Sequence, residues 1–212
     1  MTVAQAPEPT RDRILRLADP LFARHGYAAV SMRQVAGAAG VTKPALYYHF
    51  RDKEALFEEC VLASQRRMEP LLREAAAADR PFRDTVESVV DVLLTASPHH
   101  PVRTQSDVAE HLPAEARHRI GASFQQSVSS PIAELFAGAA DRGELGEGIT
   151  PALASAALLG LALAFLPPPA GETADEVSHP TVAVDGTAAL GDPAVAAATV
   201  TRLVLGGVGR QP

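Results

Sequence analysis

With 212 residues, 47 % of them hydrophobic, and a formal net charge of −6, the chain can hold a sizeable core, either as one body with a small head or as two domains. Cys60 is its single cysteine, which excludes an intrachain disulfide and a thiolate metal cluster. Aromatic residues make up 5 % and tryptophan is absent, which argues against a binding pocket built from stacked rings.

Residues 1–9 are short and proline-spaced, with neither a basic start nor an apolar core. They read as a flexible tail rather than a secretory leader, so a cytoplasmic protein is expected. Thr10 is the expected cap of a first helix whose inward stripe is Ile14, Leu17, Ala18, Leu21 and Phe22. Pro20 falls inside this helix. It removes an amide and crowds the carbonyl of Arg16 at a cost of about 3 kcal/mol, so a kink or a displaced first part is expected there. Ser31 then opens a short helix with Val35 and Ala36 toward the core. That run breaks at Gly40, and Val41 is the apolar residue that pins the turn. Thr42 caps a second short helix, with Lys43 first and Pro44 next, where first-turn amides have no intrahelical partner. Two short helices joined by a small-residue turn are the parts of a helix-turn-helix.

Leu46 and Phe50, four apart on the second of these helices, face inward, which leaves Lys43, Ala45, Tyr47, Tyr48 and His49 on the outer surface and flanks. An aromatic-rich helix with so little charge gains partners at a duplex. Tyrosine hydroxyls and a lysine can bond phosphates, while small or apolar side chains can approach base edges or a thymine methyl. The alternative for Tyr47 and Tyr48 is packing inside a helical bundle. Charge favours the first reading. Residues 11–53 carry eight basic residues (Arg11, Arg13, Arg16, Arg24, Arg33, Lys43, Arg51, Lys53) against Asp12, Asp19 and Asp52, on a chain that is acidic overall.

The ordered pattern of Leu21-Phe22, Gly26-Tyr27, Ser31, Gly40-Val41, the LYYHF run at 46–50 and the KEAL run at 53–56 resembles the N-terminal DNA-binding domain of the TetR family of transcriptional regulators. The resemblance covers residues 21–57, about the first quarter of the chain. It implies that Thr42, Lys43, Ala45, Tyr47, Tyr48 and His49 lie on or beside a recognition helix in the major groove, and that Ser31, Arg33 and Lys53 touch phosphates. Tyr47 and Lys53 are the foremost phosphate candidates. Tyr27 is expected to pack rather than to read DNA.

Asp52 starts a longer helical pattern through Leu56, Phe57, Val61, Leu62, Met68, Leu71 and Leu72, a candidate lever from the head into the body that Pro70 can bend. Another apolar helix runs through Val86, Val89, Val90 and Leu93 and stops at 97–101. Residues 102–113 suggest one short helix, and 114–140 a long one with a kink at Pro131. Thr150 and Pro151, and again Asp192 and Pro193, open helices that are apolar nearly all round. The first is too short to cross a bilayer, which needs about 20 such residues. Residues 167–191 between them have no helical period and read as a mobile loop. Two such helices suggest that a second copy of the chain covers them. The candidate faces are Leu158, Leu159, Ala162 and Phe165 on one helix, and Val200, Leu203, Val204 and Gly207 on the other. The alternative is the inner layer of a monomeric core.

Phosphate-loop, dinucleotide and HExxH patterns are lacking, so no enzyme activity or cofactor is expected. The spacing of His99, His100, Asp107, His111 and His118 arises easily by chance and is not assigned to a metal. Cys60 reads as a buried small hydrophobe. The expected architecture is all-α, with a three-helix helix-turn-helix head at 1–52 and a helical effector-binding and dimerisation domain at 53–212. The resemblance implies a homodimeric regulator, usually a repressor, that binds a palindromic double-stranded DNA operator. A small-molecule effector of unknown identity would enter among the middle helices and move the lever. A DNA-binding architectural dimer with no effector is the alternative, and a solid core in the middle helices would favour it.

Overall fold

The computed structural model describes residues 8–77, 79–96, 99, 101–166 and 193–208, which form ten α-helices. The expected loop at 167–191 lies outside the described residues. Helices α1 (Thr10–Ala29), α2 (Met32–Ala39) and α3 (Lys43–His49) make the head, and α4 (Lys53–Ala77) leads out of it. The body adds α5 (Phe82–Thr95), α6 (Pro101–His111), α7 (Ala114–Phe124), α8 (Ser130–Asp141), α9 (Pro151–Ala164) and α10 (Pro193–Val208). No helix among the described residues is long and apolar enough to cross a membrane.

Two expectations about α1 are corrected. Thr10 is its first residue rather than its cap, a position held by Pro9 without a side-chain bond. The break lies at Gly26, where φ is 74° and ψ 169°, and not at Pro20. Pro20 sits on the exposed side of the helix, where water can serve the carbonyl it frees, so the helix continues across it. Gly26 takes a backbone conformation that residues with a Cβ avoid, and only there does the chain turn.

The single kinked helix expected over 114–140 is α7 and α8 joined by a π-helical turn, Gln125–Ser129. Pro131 has no amide to donate, and its ring crowds the carbonyl four residues back, which favours wider bonding just upstream. The Ser130 amide accordingly donates to the carbonyl of Gln125, five residues earlier, and its hydroxyl donates to the same oxygen at 2.9 Å.

Two apolar cores organise the chain, and α4 runs through both. The first gathers Ile14, Phe22, Val35, Leu46, Leu56 and Phe57, and is closed by Val108 of α6, Leu112 just beyond it, and Ala116 and Ile120 of α7. The second packs Met68 and Leu72 of α4 with Val86 and Val90 of α5, Ile132 and Phe136 of α8, Leu158 of α9, and Val200 and Val204 of α10. Cys60 is buried in the first core. Burial, helped by the nearby Asp19 carboxylate, pushes its thiol well above the usual range.

A buried carboxylate also ties head to body. Asp19 of α1 is bonded to the Arg67 guanidinium of α4, and its other oxygen lies 2.6 Å from Nε2 of His99, in the α5–α6 connection. His99 is thus committed to Asp19. Among the described residues no group of three or more His, Cys, Asp or Glu side chains is placed to hold a metal.

Candidate nucleic-acid interface

Local side-chain chemistry builds the helix-turn-helix. The Ser31 hydroxyl accepts from the Gln34 amide at 3.3 Å while Gln34 Oε1 accepts from the Ser31 amide at 2.8 Å, a reciprocal cap that starts α2. Gly40, at φ 63° and ψ 35°, stops it in the left-handed conformation, and the Val41 amide closes the turn on the carbonyl of Ala36 at 3.0 Å. Thr42 Oγ1 then accepts from the Ala45 amide at 3.3 Å and starts α3. Leu46 and Phe50 are buried and hold α3 on α1, α2 and α4.

The opposite face of α3 is open. Tyr48 is 86 % exposed and Tyr47 42 %, so neither packs inside the bundle. The Tyr48 ring meets the edge of His49 at 5.2 Å, and the Lys43 ammonium lies 5.7 Å from the centroid of the Tyr47 ring. Thr42 and Lys43 are exposed and Ala45 and His49 half-buried, while Ser31 and Arg33 are exposed at the start of α2. These eight residues of α2, α3 and their caps all reach solvent, fully or in part. Several other head cations are engaged elsewhere: Arg11 pairs with Glu59 at 3.2 Å and covers the Phe50 ring, Arg16 pairs with Glu8, and Arg51 with Asp52. Arg33 and Lys43 have no carboxylate partner among the described residues.

Lys53 stands apart from this face. Its Nζ lies 4.0 Å from the centroid of the Tyr27 ring and 3.4 Å from the carbonyl oxygen of Ala28, and it is half-buried. Burial draws its pKa below the ordinary lysine value, against the pull of Glu54 and Asp107. Tyr27 packs, as expected, but it also joins elements. Its hydroxyl donates to Glu54 at 2.9 Å, its amide donates to Asp107 of α6 at 2.9 Å, and its ring stacks on His111 of α6 at 4.5 Å. Burial, with the Glu54 bond second, raises its phenol far above the usual range. Arg103 of α6 adds a bond to the carbonyl of Arg24 at 3.1 Å. Nothing in the sequence pairs Asp107 with Tyr27, 80 residues away; the one local signal is the Gly-Tyr step, whose glycine lets the chain turn under α6.

At the far end of α4 a cleft of about 820 Å³ opens between α4, the start of α5, and α8. Its apolar side is Ala76, Phe82, Pro131 and Leu135, and its rim carries Arg73, Arg80, Glu134 and Arg142. Arg73 crosses the rim to Glu134 at 2.7 Å. The middle helices thus hold an open, charge-rimmed cleft.

On α9 and α10 the structure separates two faces. Leu158, Ala162, Val200 and Val204 are buried within the chain itself, so these four offer no surface to a second copy, and their assignment to a dimer face is corrected. Leu159 and Phe165 are half-buried, Leu203 is 49 % exposed, and Gly207 lies outside the residues whose burial is described. The solvent side of α9 presents Leu153, Ala156, Gly160 and Leu163, spaced three and four apart, and α10 presents Val195 and Leu203.

Residues 14–60 match the tetR family of bacterial regulatory proteins. The chain is 28 % identical over 163 residues to the HTH-type transcriptional regulator UidR of Escherichia coli K12, covering 75 % of this chain and 81 % of that protein. It is 29 % identical over 135 residues to the HTH-type transcriptional repressor KstR2 of Rhodococcus jostii, covering 63 % and 64 %. The structure of Salmonella enterica GusR superposes with a TM-score of 0.68 at 21 % identity, over 95 % of this chain and 96 % of that one, which is a likeness of fold. The head of this chain thus carries the helix-turn-helix of the TetR family of bacterial transcriptional regulators, and the chain as a whole shares its helical fold with GusR.

Proposed function

We propose that the chain is a repressor that binds a palindromic operator as a homodimer and is released by a small-molecule effector. The observation that carries the reading is the solvent-facing side of α3. Tyr47, Tyr48 and Lys43 stand out from a helix held by two buried anchors, and Ser31 and Arg33 are exposed at the start of α2, which suits a major-groove helix with phosphate contacts from its neighbour. Residues 1–52 are the DNA-binding unit and 53–212 the effector-binding and dimerisation unit, with the first half of α4 packed into the head. Repression is supported by the similarity to a relative described as a repressor.

Dimerisation is supported by the exposed apolar stripe of α9 with Val195 and Leu203 of α10. Ala156 and Gly160 in its middle let two helices approach closely, and four such helices from two copies make a bundle. An effector in the cleft beside α4 would act on the lever directly. The ligand need favour the spread arrangement of the two heads by only a few kcal/mol to shift occupancy.

The test is selection of duplexes from a randomised pool, then footprinting and a metabolite screen read by thermal shift and by release of the selected duplex. Two protected half-sites one helical turn or a multiple apart, with release by a compound that also raises the melting temperature, are expected. Protection of a single half-site by a monomer refutes the dimeric reading.

A further inference from the structure

The Tyr27 ring has several partners, and they belong to different parts of the chain. Lys53 of α4 lies over the ring, Phe57 of α4 meets it at 5.2 Å, and His111 of α6 stacks on it at 4.5 Å. Glu54 of α4 accepts from its hydroxyl and Asp107 of α6 from its amide, both at 2.9 Å. Gly26 beside it lies under α6, at φ +74°, with the position of a Cβ in ordinary contact with Asp107 Oδ2 at 3.4 Å and Arg103 Cδ at 3.5 Å.

A lysine ammonium rides on a flexible four-carbon stem and has several rotamers open to it. Here two contacts choose one: the ring face, within cation–π range, and the carbonyl of Ala28. The carbonyl takes one of the three ammonium hydrogens, and the side chain remains partly exposed, so another hydrogen is free for a phosphate. We infer that Tyr27 is a positioning residue for DNA binding, a ring held by helix α6 of the body that fixes where the Lys53 ammonium stands at the start of α4. The inference rests on Lys53 being a phosphate contact, as the family resemblance implies. Its consequence is a route from body to DNA that needs no bending of α4. When α6 moves away, Tyr27 loses the Asp107 bond and the His111 stack, the ring is freed, and the ammonium loses its platform.

The test measures binding of a duplex, selected by the wild-type chain from a randomised pool, as a function of salt. Lys53→Ala is expected to reduce the slope of log K against log salt by about one unit for each protomer bound, one phosphate contact apiece. Tyr27→Leu is expected to lose most of that same amount, Tyr27→Phe to keep it, and the double variant Tyr27→Leu/Lys53→Ala to lose no more than Lys53→Ala alone. A purely structural role for Tyr27 would leave the slope untouched in a variant that keeps its helical circular dichroism, and that result overturns the inference. Additive losses in the double variant overturn it as well. If Lys53→Ala leaves the slope at the wild-type value, the phosphate assignment itself fails and the inference with it. Should Tyr27→Leu not fold, His111→Ala carries the test from α6, where a reduced slope supports the inference and an unchanged slope refutes it.

Discussion

Two glycines of the head are held at positive φ for different reasons, and substitution separates them. Gly26 has φ 74° and ψ 169°, a region open essentially to glycine alone, whereas Gly40 has φ 63° and ψ 35°, the left-handed helical well. A Cβ at Gly26 meets Asp107 Oδ2 at 3.4 Å and Arg103 Cδ at 3.5 Å, ordinary contact distances, and a Cβ at Gly40 meets nothing within 4 Å. Neither substitution therefore costs a clash, and the whole effect is backbone strain. Gly26→Ala is expected to cost about 1–3 kcal/mol, and Gly40→Ala about 1–2 kcal/mol. Asparagine visits the left-handed well through local hydrogen bonds, so Gly40→Asn should recover much of the loss at Gly40. The same residue should recover nothing at Gly26. For a chain of this length each kcal/mol moves the melting temperature by roughly 2–4 °C, so thermal and urea unfolding of the four variants resolve the pattern. Equal rescue by asparagine at both sites would refute the assignment of the Gly26 strain to its extended ψ. A loss at Gly26→Ala below about 0.5 kcal/mol, the ordinary scatter of surface substitutions, would show that the turn relaxes when α6 shifts.

Leu163→Glu and Leu203→Glu, on exposed positions of α9 and α10, should give folded monomers in sedimentation equilibrium, whereas Leu158→Glu buries an unpaired charge at a cost of several kcal/mol and should unfold the body; a dimeric Leu163→Glu/Leu203→Glu variant would remove this face from the dimer. Thr42→Ala deletes the side-chain acceptor for the Ala45 amide and should cost about 1 kcal/mol, checked by urea unfolding, while Tyr48→Ala, at an 86 % exposed site, should leave stability within about 0.5 kcal/mol yet weaken operator binding in a fluorescence titration. Because burial raises the thiol of Cys60, a colorimetric disulfide reagent at pH 8 should label the native chain only as fast as it opens, and the urea-unfolded chain at once; prompt labelling of the native chain would contradict its burial.

The helix-turn-helix was legible in the sequence because each of its parts is a local bargain. Ser31 and Thr42 cap helices whose first amides lie two or three residues away, Gly40 supplies a left-handed stop at its own backbone, and Leu46 and Phe50 share a face by helical period. Interactions of this range are set by neighbours along the chain and survive any later packing. The faces of α9 and α10 were not legible for the opposite reason. A helix apolar on all sides carries almost no directional pattern, so only the packing of α10 along α5 and α9 decided that Leu158, Val200 and Val204 turn inward while Leu163 and Leu203 stay in solvent. Tertiary structure likewise placed the break of α1 at Gly26 rather than Pro20, because proline on an exposed flank leaves a carbonyl that water can satisfy, whereas the turn at Gly26 brings the Tyr27 amide to Asp107. It also decided the surroundings of Lys53. A lysine at the start of a helix reads as a surface charge, and the ring of Tyr27, backed by His111 from 84 residues further along, is a partner that no local pattern announces, since the free energy of such a contact depends on the docking of α6 and not on any spacing within the head.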